Sequence, residues 1–273
     1  AQLAEVYGAD LTEPTLVSFD LDVDQTYAVL RLTFDETVKI DTFAPTMLTF
    51  QNGRGPGASM YTLTGGTPSG VDSTFVNLTL TFQDTNVIRY DTSFCATGVN
   101  DCYLSISQEL ISDMHVYDLS FNVVNNSERL NKVVAISTTA AMPVTVLTLD
   151  VTAPTLLEFD FNYETEQITF VFLETVNYAS FNVSRIILQN STSSGDGQMY
   201  RLTGGDVSAD DSTILSLNLT FEDLNIIKSL RSLATSASDV HMFLEAGAIV
   251  DMALNPNEPT VVDVQSVCSA TTD

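Results

Sequence analysis

The sequence predicts an all-β protein built from two tandem β-sandwich modules, each carrying one short helical crossover. Three observations predict it: an internal repeat, a two-residue apolar alternation, and turn residues at short, regular spacing. The repeat runs at an offset of about 139 residues. Phe34-Asp35-Glu36-Thr37-Val38 returns as Phe172-Leu173-Glu174-Thr175-Val176, and Tyr61-Thr62-Leu63-Thr64-Gly65-Gly66 as Tyr200-Arg201-Leu202-Thr203-Gly204-Gly205. Leu80-Thr81-Phe82-Gln83-Asp84 returns as Leu219-Thr220-Phe221-Glu222-Asp223, and Ile111-Ser112-Asp113-Met114 as Ile249-Val250-Asp251-Met252. One module is therefore present twice, over residues 10–149 and 150–273, with an overhang over residues 1–9. Each half is long enough to bury its own core.

The strands follow from alternation. Val17, Phe19 and Leu21 form one apolar face, matched by Leu157, Phe159 and Phe161. Leu30, Leu32 and Phe34 form a second, matched by Ile168, Phe170 and Phe172. Val76, Leu78, Leu80 and Phe82 form a third with Asn77, Thr79 and Thr81 opposite, matched by Leu215, Leu217, Leu219 and Phe221. A period of two sustained in this way marks a half-buried strand, and short strands between Gly, Pro, Asn and Asp clusters mark a sandwich. Periodicity changes after Asp223, where Leu224, Ile227, Leu230 and Leu233 recur every third residue. That spacing predicts a short amphipathic helix with Asp223 as its N-cap, and Asp84 with Val87, Ile88 and Phe94 predicts a weaker one.

Each module opens on a proline segment, Asp10-Leu11-Thr12-Glu13-Pro14 and Asp150-Val151-Thr152-Ala153-Pro154, which suits a stiff lead into a first strand. The chain begins at Ala1 without Met, as a cleaved mature form or a trimmed one would, and its last residues occupy the place where a module would follow. The first module is longer after Asp113, and Tyr117, Leu119, Phe121 and Val123 alternate there. They predict an extra hairpin at about residues 115–132, with an edge able to pair with another chain.

Charge excludes several function classes. The net charge is −25, from 35 Asp and Glu against 10 Lys and Arg, which repels phosphate backbones and anionic lipid headgroups. Neither nucleic acid nor membrane insertion is expected, since no apolar run reaches 18 residues. Self-association at this charge requires an offset such as calcium, salt or apolar contact. Ser and Thr make 59 of the 273 residues, a composition that suits an extracellular β-protein.

The opening Asp-x-Thr-x-Pro-Thr-Leu and the Phe-x-Glu-Thr-Val of both copies, with Tyr-x-Leu-Thr-Gly-Gly and Gly247-to-Pro256 (GAIVDMALNP), resemble the Ig-like repeats of S-layer and large secreted adhesin proteins. The first copy departs from the last of these, reading Asp113-Met114-His115-Val116-Tyr117. The resemblance implies a secreted or cell-surface architectural protein.

Candidate chemistry is sparse. Asp20, Asp22 and Asp24, with Asp160, Asn162 and Glu164 as counterparts, read either as a solvated acidic strand face or as hard oxygen ligands for calcium. Glu174 with Asp150 and Asp113 reads the same two ways. No twelve-residue EF-hand loop is present, so no metal site is assigned. The two histidines, His115 and His241, are not repeat equivalents, and Thr64-Gly65-Gly66 reads as a turn rather than a nucleophile elbow; no catalytic residue and no enzymatic activity are expected. Cys95, set at a one-residue insertion, and Cys102, standing where the second copy has Val240, form a local disulfide or remain two buried thiols, and Cys268 is left over. Five Asn-x-Ser/Thr sequons stand at Asn77, Asn125, Asn182, Asn190 and Asn218, and Asn77 and Asn218 share the outer face of the same predicted strand.

The expected function is that of a structural subunit of an extracellular filament, sheath or surface layer. Copies of the chain would join head to tail, and glycans are the other expected partner class. The alternative is an adhesive or carbohydrate-binding module on a stalk.

Overall fold

A computed structural model describes residues 10–114, 131–192 and 197–260. The expected overhang over residues 1–9, almost all of the expected hairpin at 115–132, His115, Asn125 and Cys268 lie outside the described residues. The protein is all-β in character, and its chain divides into two compact units, Ala1–Asp150 and Val151–Asp273.

The first unit runs through β1 (Leu16–Asp22), β2 (Val29–Lys39), β3 (Leu48–Gln51), β4 (Met60–Thr62), β5 (Thr67–Ser69) and β6 (Ser73–Thr79). Helix α1 (Phe82–Tyr90) follows, then β7 (Tyr103–Ile106), β8 (Ser112–Asp113), β9 (Met142–Pro143) and β10 (Val146–Thr148). One sheet has the order β10-β1-β2-β6-β5, with β8 also on β2, and the other the order β4-β3-β7-β9. Every pairing is antiparallel except β1 with β10. The second unit repeats the plan with β11 (Leu156–Asn162), β12 (Gln167–Val176), β13 (Ile186–Gln189), β14 (Met199–Arg201), β15 (Gly205–Val207), β16 (Ser212–Leu219), α2 (Phe221–Ser229) and β17 (His241–Leu244). Its sheets are ordered β11-β12-β16-β15 and β14-β13-β17.

Alternation places the cores. Leu30 and Leu32 on β2 and Leu78 on β6 are fully buried, as are Ile168, Phe170, Leu215 and Leu217 at the matching places. Phe19 on β1 meets Phe50 on β3 edge-on, with centroids 6.3 Å apart, so both sheets feed one core. Each unit closes around its own cluster, burying aromatic and aliphatic area that dominates its stability.

Three expectations about faces need correction. Val17 and Leu157 are exposed, while Leu16 and Leu156 are buried. A register shift between Leu16 and Ser18, repeated between Leu156 and Glu158, inserts one residue and moves the apolar position back by one. Phe82 and Phe221 are not core residues, being 42% and 85% exposed. The strand period ends at Thr79 and Leu219, and both phenylalanines begin a helix on its solvent side. The N-cap of α2 is Thr220 rather than Asp223: its hydroxyl accepts from the Asp223 N–H at 3.0 Å, as Thr81 does from Asp84. Asp223 and Asp84 are therefore the third helical residues, and their carboxylates are free for another task.

Gly66 and Gly205 have φ of 137° and 145°. A Cβ on Gly205 would strike the Asn218 carbonyl oxygen, so glycine is required where the loop lies against β16. Among the described residues no helix is long and apolar enough to cross a membrane.

Candidate functional site

The strongest polar construction in each unit is a clasp on the helix N-terminus. Asp84 and Asp223 are fully buried. Asp84 accepts from the Tyr61 hydroxyl at 2.7 Å, the Thr64 N–H at 3.0 Å, the Thr64 hydroxyl at 2.9 Å and the Gly65 N–H at 3.3 Å. Asp223 accepts from Tyr200 at 2.7 Å, from the Thr203 N–H at 3.0 Å, from the Thr203 hydroxyl at 2.8 Å and from the Gly204 N–H at 3.4 Å. The Tyr-x-Leu-Thr-Gly-Gly string thus wraps a carboxylate seated at the positive end of a helix, where negative charge is stabilised. Burial pushes the Asp223 carboxyl up, and the hydrogen bonds from Tyr200, Thr203 and Gly204 together outweigh it and hold the group below its ordinary value. Burial and then the bond to Asp223 push the Tyr200 phenol up to about 12, and burial and Asp84 raise Tyr61 likewise. All of these donors belong to the loop or to the strand before it, so the clasp fastens the Tyr-x-Leu-Thr-Gly-Gly segment to the helix N-terminus.

The second construction is carboxylate-rich. Asp10, Glu36 and Asp113 each offer an oxygen within 4.8 Å of the others. Asp113 is held by Asn131, whose N–H donates to Oδ1 at 3.0 Å and whose Nδ2 donates to Oδ2 at 2.6 Å. Among the described residues, Glu36 Oε1 is buried with no hydrogen-bond partner. Burial, and then the charges of Asp10, Asp113 and Asp35, raise the Glu36 carboxyl above its ordinary value. Asp35 moves the other way, lowered by the Thr15 hydroxyl and N–H that donate to it. In the second unit Glu174 and Asp251 are both buried, and Asp251 is held by the Asn255 N–H at 2.8 Å and the Asn255 Nδ2 at 2.8 Å. An all-oxygen donor set suits a proton or a hard cation such as calcium, not a soft metal.

This arrangement corrects the expected grouping of Glu174 with Asp113. Asp113 stands with Glu36, and Glu174 stands instead with Asp251, the repeat counterpart of Asp113. The Asp–Asn half of the closing motif is also not missing from the first copy. Asn131, on the far side of the insertion, makes the contacts that Asn255 makes four residues after Asp251. Asp150 is 9% exposed and pairs with Arg89, Nε to Oδ2 at 3.1 Å, while the Arg89 guanidinium also donates to the Val23 and Gln25 carbonyls. Sequence reasoning missed this pair; its one signal was Arg89, a cation in the last turn of an otherwise acidic module.

The remaining candidates resolve separately. Asp20 and Asp22 lie on β1, but Asp24 lies past its end. Asp22 accepts from the Asp24 N–H at 3.0 Å and from Gln25 at 3.1 Å, shaping the turn. Asn162 does the same for Glu164 and Thr165. His241 lies on β17. Cys95 and Cys102 are joined as a disulfide. Cys95 is the equivalent of Ala234 rather than an inserted residue. Both have left-handed φ, 53° and 55°, and their N–H groups bond the carbonyls of Asp101 and Asp239. Asn77, Asn182 and Asn218 are exposed and Asn190 is half-buried. No family model matches the chain, and no curated protein matches it.

Proposed function

We propose that the protein is a structural subunit of an extracellular filament, sheath or surface layer, in which tandem Ig-like sandwich modules associate end to end. The observation that carries this reading is the doubled clasp. Both copies commit their best-buried carboxylate to fastening the same loop to the same helix, so what is duplicated is scaffolding. The strand orders of the first unit support the Ig-like assignment. β1, β2, β6 and β5 correspond to strands A, B, E and D, and β4, β3, β7 and β9 to C′, C, F and G.

Lateral growth is discouraged at four of the sheet edges. β4, β5, β14 and β15 are three residues each, and β5 carries Pro68. Contacts at module ends are the route this reading favours. A heterologous contact of that kind builds an open filament unless its rotation closes a ring. The Cys95–Cys102 disulfide fits an oxidising compartment. No catalytic step enters this reading.

Electron microscopy and light scattering of the purified full chain, with calcium and then with chelator at low ionic strength, test it. Extended assemblies are expected with calcium, loosening when it is removed because the charge of −25 is then least screened. Monodisperse monomers at high concentration in calcium would overturn the reading.

A further inference from the structure

We propose that Asn77, Asn182 and Asn218 carry N-linked glycans in the folded protein and that Asn190, despite an intact sequon, does not. The inference rests on the extracellular reading above and adds the modification and its positions.

A sequon places its asparagine and its hydroxyl residue two positions apart, which is the strand period. In Asn77-Leu78-Thr79 on β6 and Asn218-Leu219-Thr220 at the end of β16, the central leucine points into the core and the asparagine is exposed. Asn182-Val183-Ser184 repeats that pattern in a single 3-10 turn, with Val183 buried and its neighbours exposed. In all three the core anchors the middle residue while the carboxamide faces water.

Two of these carboxamides are also oriented. Asn218 Oδ1 accepts from Gln167 Nε2 at 2.7 Å across the strand pair, leaving Nδ2 as the outward atom. Asn182 Oδ1 accepts from the Ser184 N–H at 3.2 Å and hydroxyl at 2.7 Å, again leaving Nδ2 for the sugar. Asn77 lies opposite Arg31 on β2 and Ser69 on β5, so a sugar there would sit over the solvent face of the larger sheet. Asn218 lies opposite Gln167 and Asp206 on the corresponding face of the second unit. Asn190 differs. It is half-buried, and the Gly197 backbone packs so closely over its side chain that a Cβ there would strike Oδ1.

The transfer is from a lipid diphosphate-linked oligosaccharide. Asparagine Nδ2 forms a bond to the sugar C1, and the C1–O bond to the diphosphate breaks. The diphosphate leaves with the electron pair, and the amide proton passes to the transferase base. Transfer accompanies folding, so the fold acts as a filter on which occupied sites persist.

The test is translation of the full chain behind a cleavable leader into endoplasmic-reticulum microsomes, followed by trypsin to isolate the folded fraction. N125Q serves as background, because Asn125 lies outside the described residues. Three glycan steps are expected on the trypsin-resistant chain. N77Q, N182Q and N218Q should each remove one, and N190Q none. Fewer than three steps, loss of a step in N190Q, or a resistant fraction that forms only when the three asparagines are replaced would overturn the proposal. The extracellular-assembly reading fails on a different result, calcium-loaded chains that stay monomeric.

Discussion

Replacing Asp223 by alanine removes one acceptor group from four donors at once. The hydroxyls of Tyr200 and Thr203 can rotate toward other partners, but the N–H groups of Thr203 and Gly204 are fixed by the loop backbone. An orphaned buried donor costs about 1–3 kcal/mol, so two fixed donors together with the lost charge-assisted bonds give about 3–5 kcal/mol. The helix keeps its Thr220 cap, so the loss falls on the loop–helix junction. For a unit of this size that is a fall of roughly 10–25 °C in its melting temperature. Calorimetry of the full chain should show one transition displaced and the other retained, because the two clusters of core residues are separate. The pH dependence gives a second readout. The Asp223 carboxyl is held low in the fold, so its contribution is present above the unfolded carboxylate value and is lost as pH falls through the folded value. The wild-type and Asp223→Ala curves should therefore converge under strong acid. An unchanged pair of transitions, or a deficit that persists undiminished at low pH, would refute the clasp as a stabilising element.

Three further outcomes follow from the same structure. Arg89→Ala removes a buried cation from the Asp150 carboxylate and its bonds to the Val23 and Gln25 carbonyls, and should destabilise the first unit by about 3–5 kcal/mol in urea titration; a loss below about 0.5 kcal/mol would place the pair among surface interactions. Phe221→Ala should be near neutral, within about 0.5 kcal/mol, because the ring is 85% exposed, whereas Phe170→Ala should cost about 3–5 kcal/mol; equal losses would contradict the helix start at Phe221. Glu36→Gln should raise the melting temperature of the first unit at pH 7 without divalent cations. The folded carboxyl is raised, so its ionisation costs stability as pH climbs above the unfolded value, and the gain should vanish near pH 3; no gain at pH 7 would show that the cluster is not strained by its own charge.

Much of the architecture was legible because it depends on local period. Ile168, Phe170 and Phe172 announce β12 without reference to anything distant, and the repeat confirms each strand by its twin. The clasp was only half visible. Asp223 and Thr203 are 20 residues apart and meet because two strands, β15 and β16, fold between them. The joint recurrence of Asp and Tyr-x-Leu-Thr-Gly-Gly at one offset was the available signal, and helical propensity diverted it into an N-cap assignment. The bulges at Leu16 and Leu156 left no mark on alternation, since Leu16-Val17 and Leu156-Leu157 offer two adjacent apolar residues and only pairing with β2 and β12 selects one. Asn131 was hidden by the insertion, which moves it 18 positions from the carboxylate it serves.

That last contact has a practical consequence. The Asp113 N–H bonds the Asn131 carbonyl at 2.9 Å, and the Asn131 N–H returns to the Asp113 side chain, so the chain leaves and rejoins the module at a single stitched point. A doorway of this kind is indifferent to what passes through it, because closing a longer loop between fixed ends costs only about 0.6 kcal/mol per doubling. The second unit has the same stitch between Asp251 and Asn255 with only three residues between them. Met252 to Leu254 is therefore a natural socket: a foreign loop as long as the first copy's insertion, grafted there, should cost the second unit only about 1.5 kcal/mol, which would make that stitch a display point.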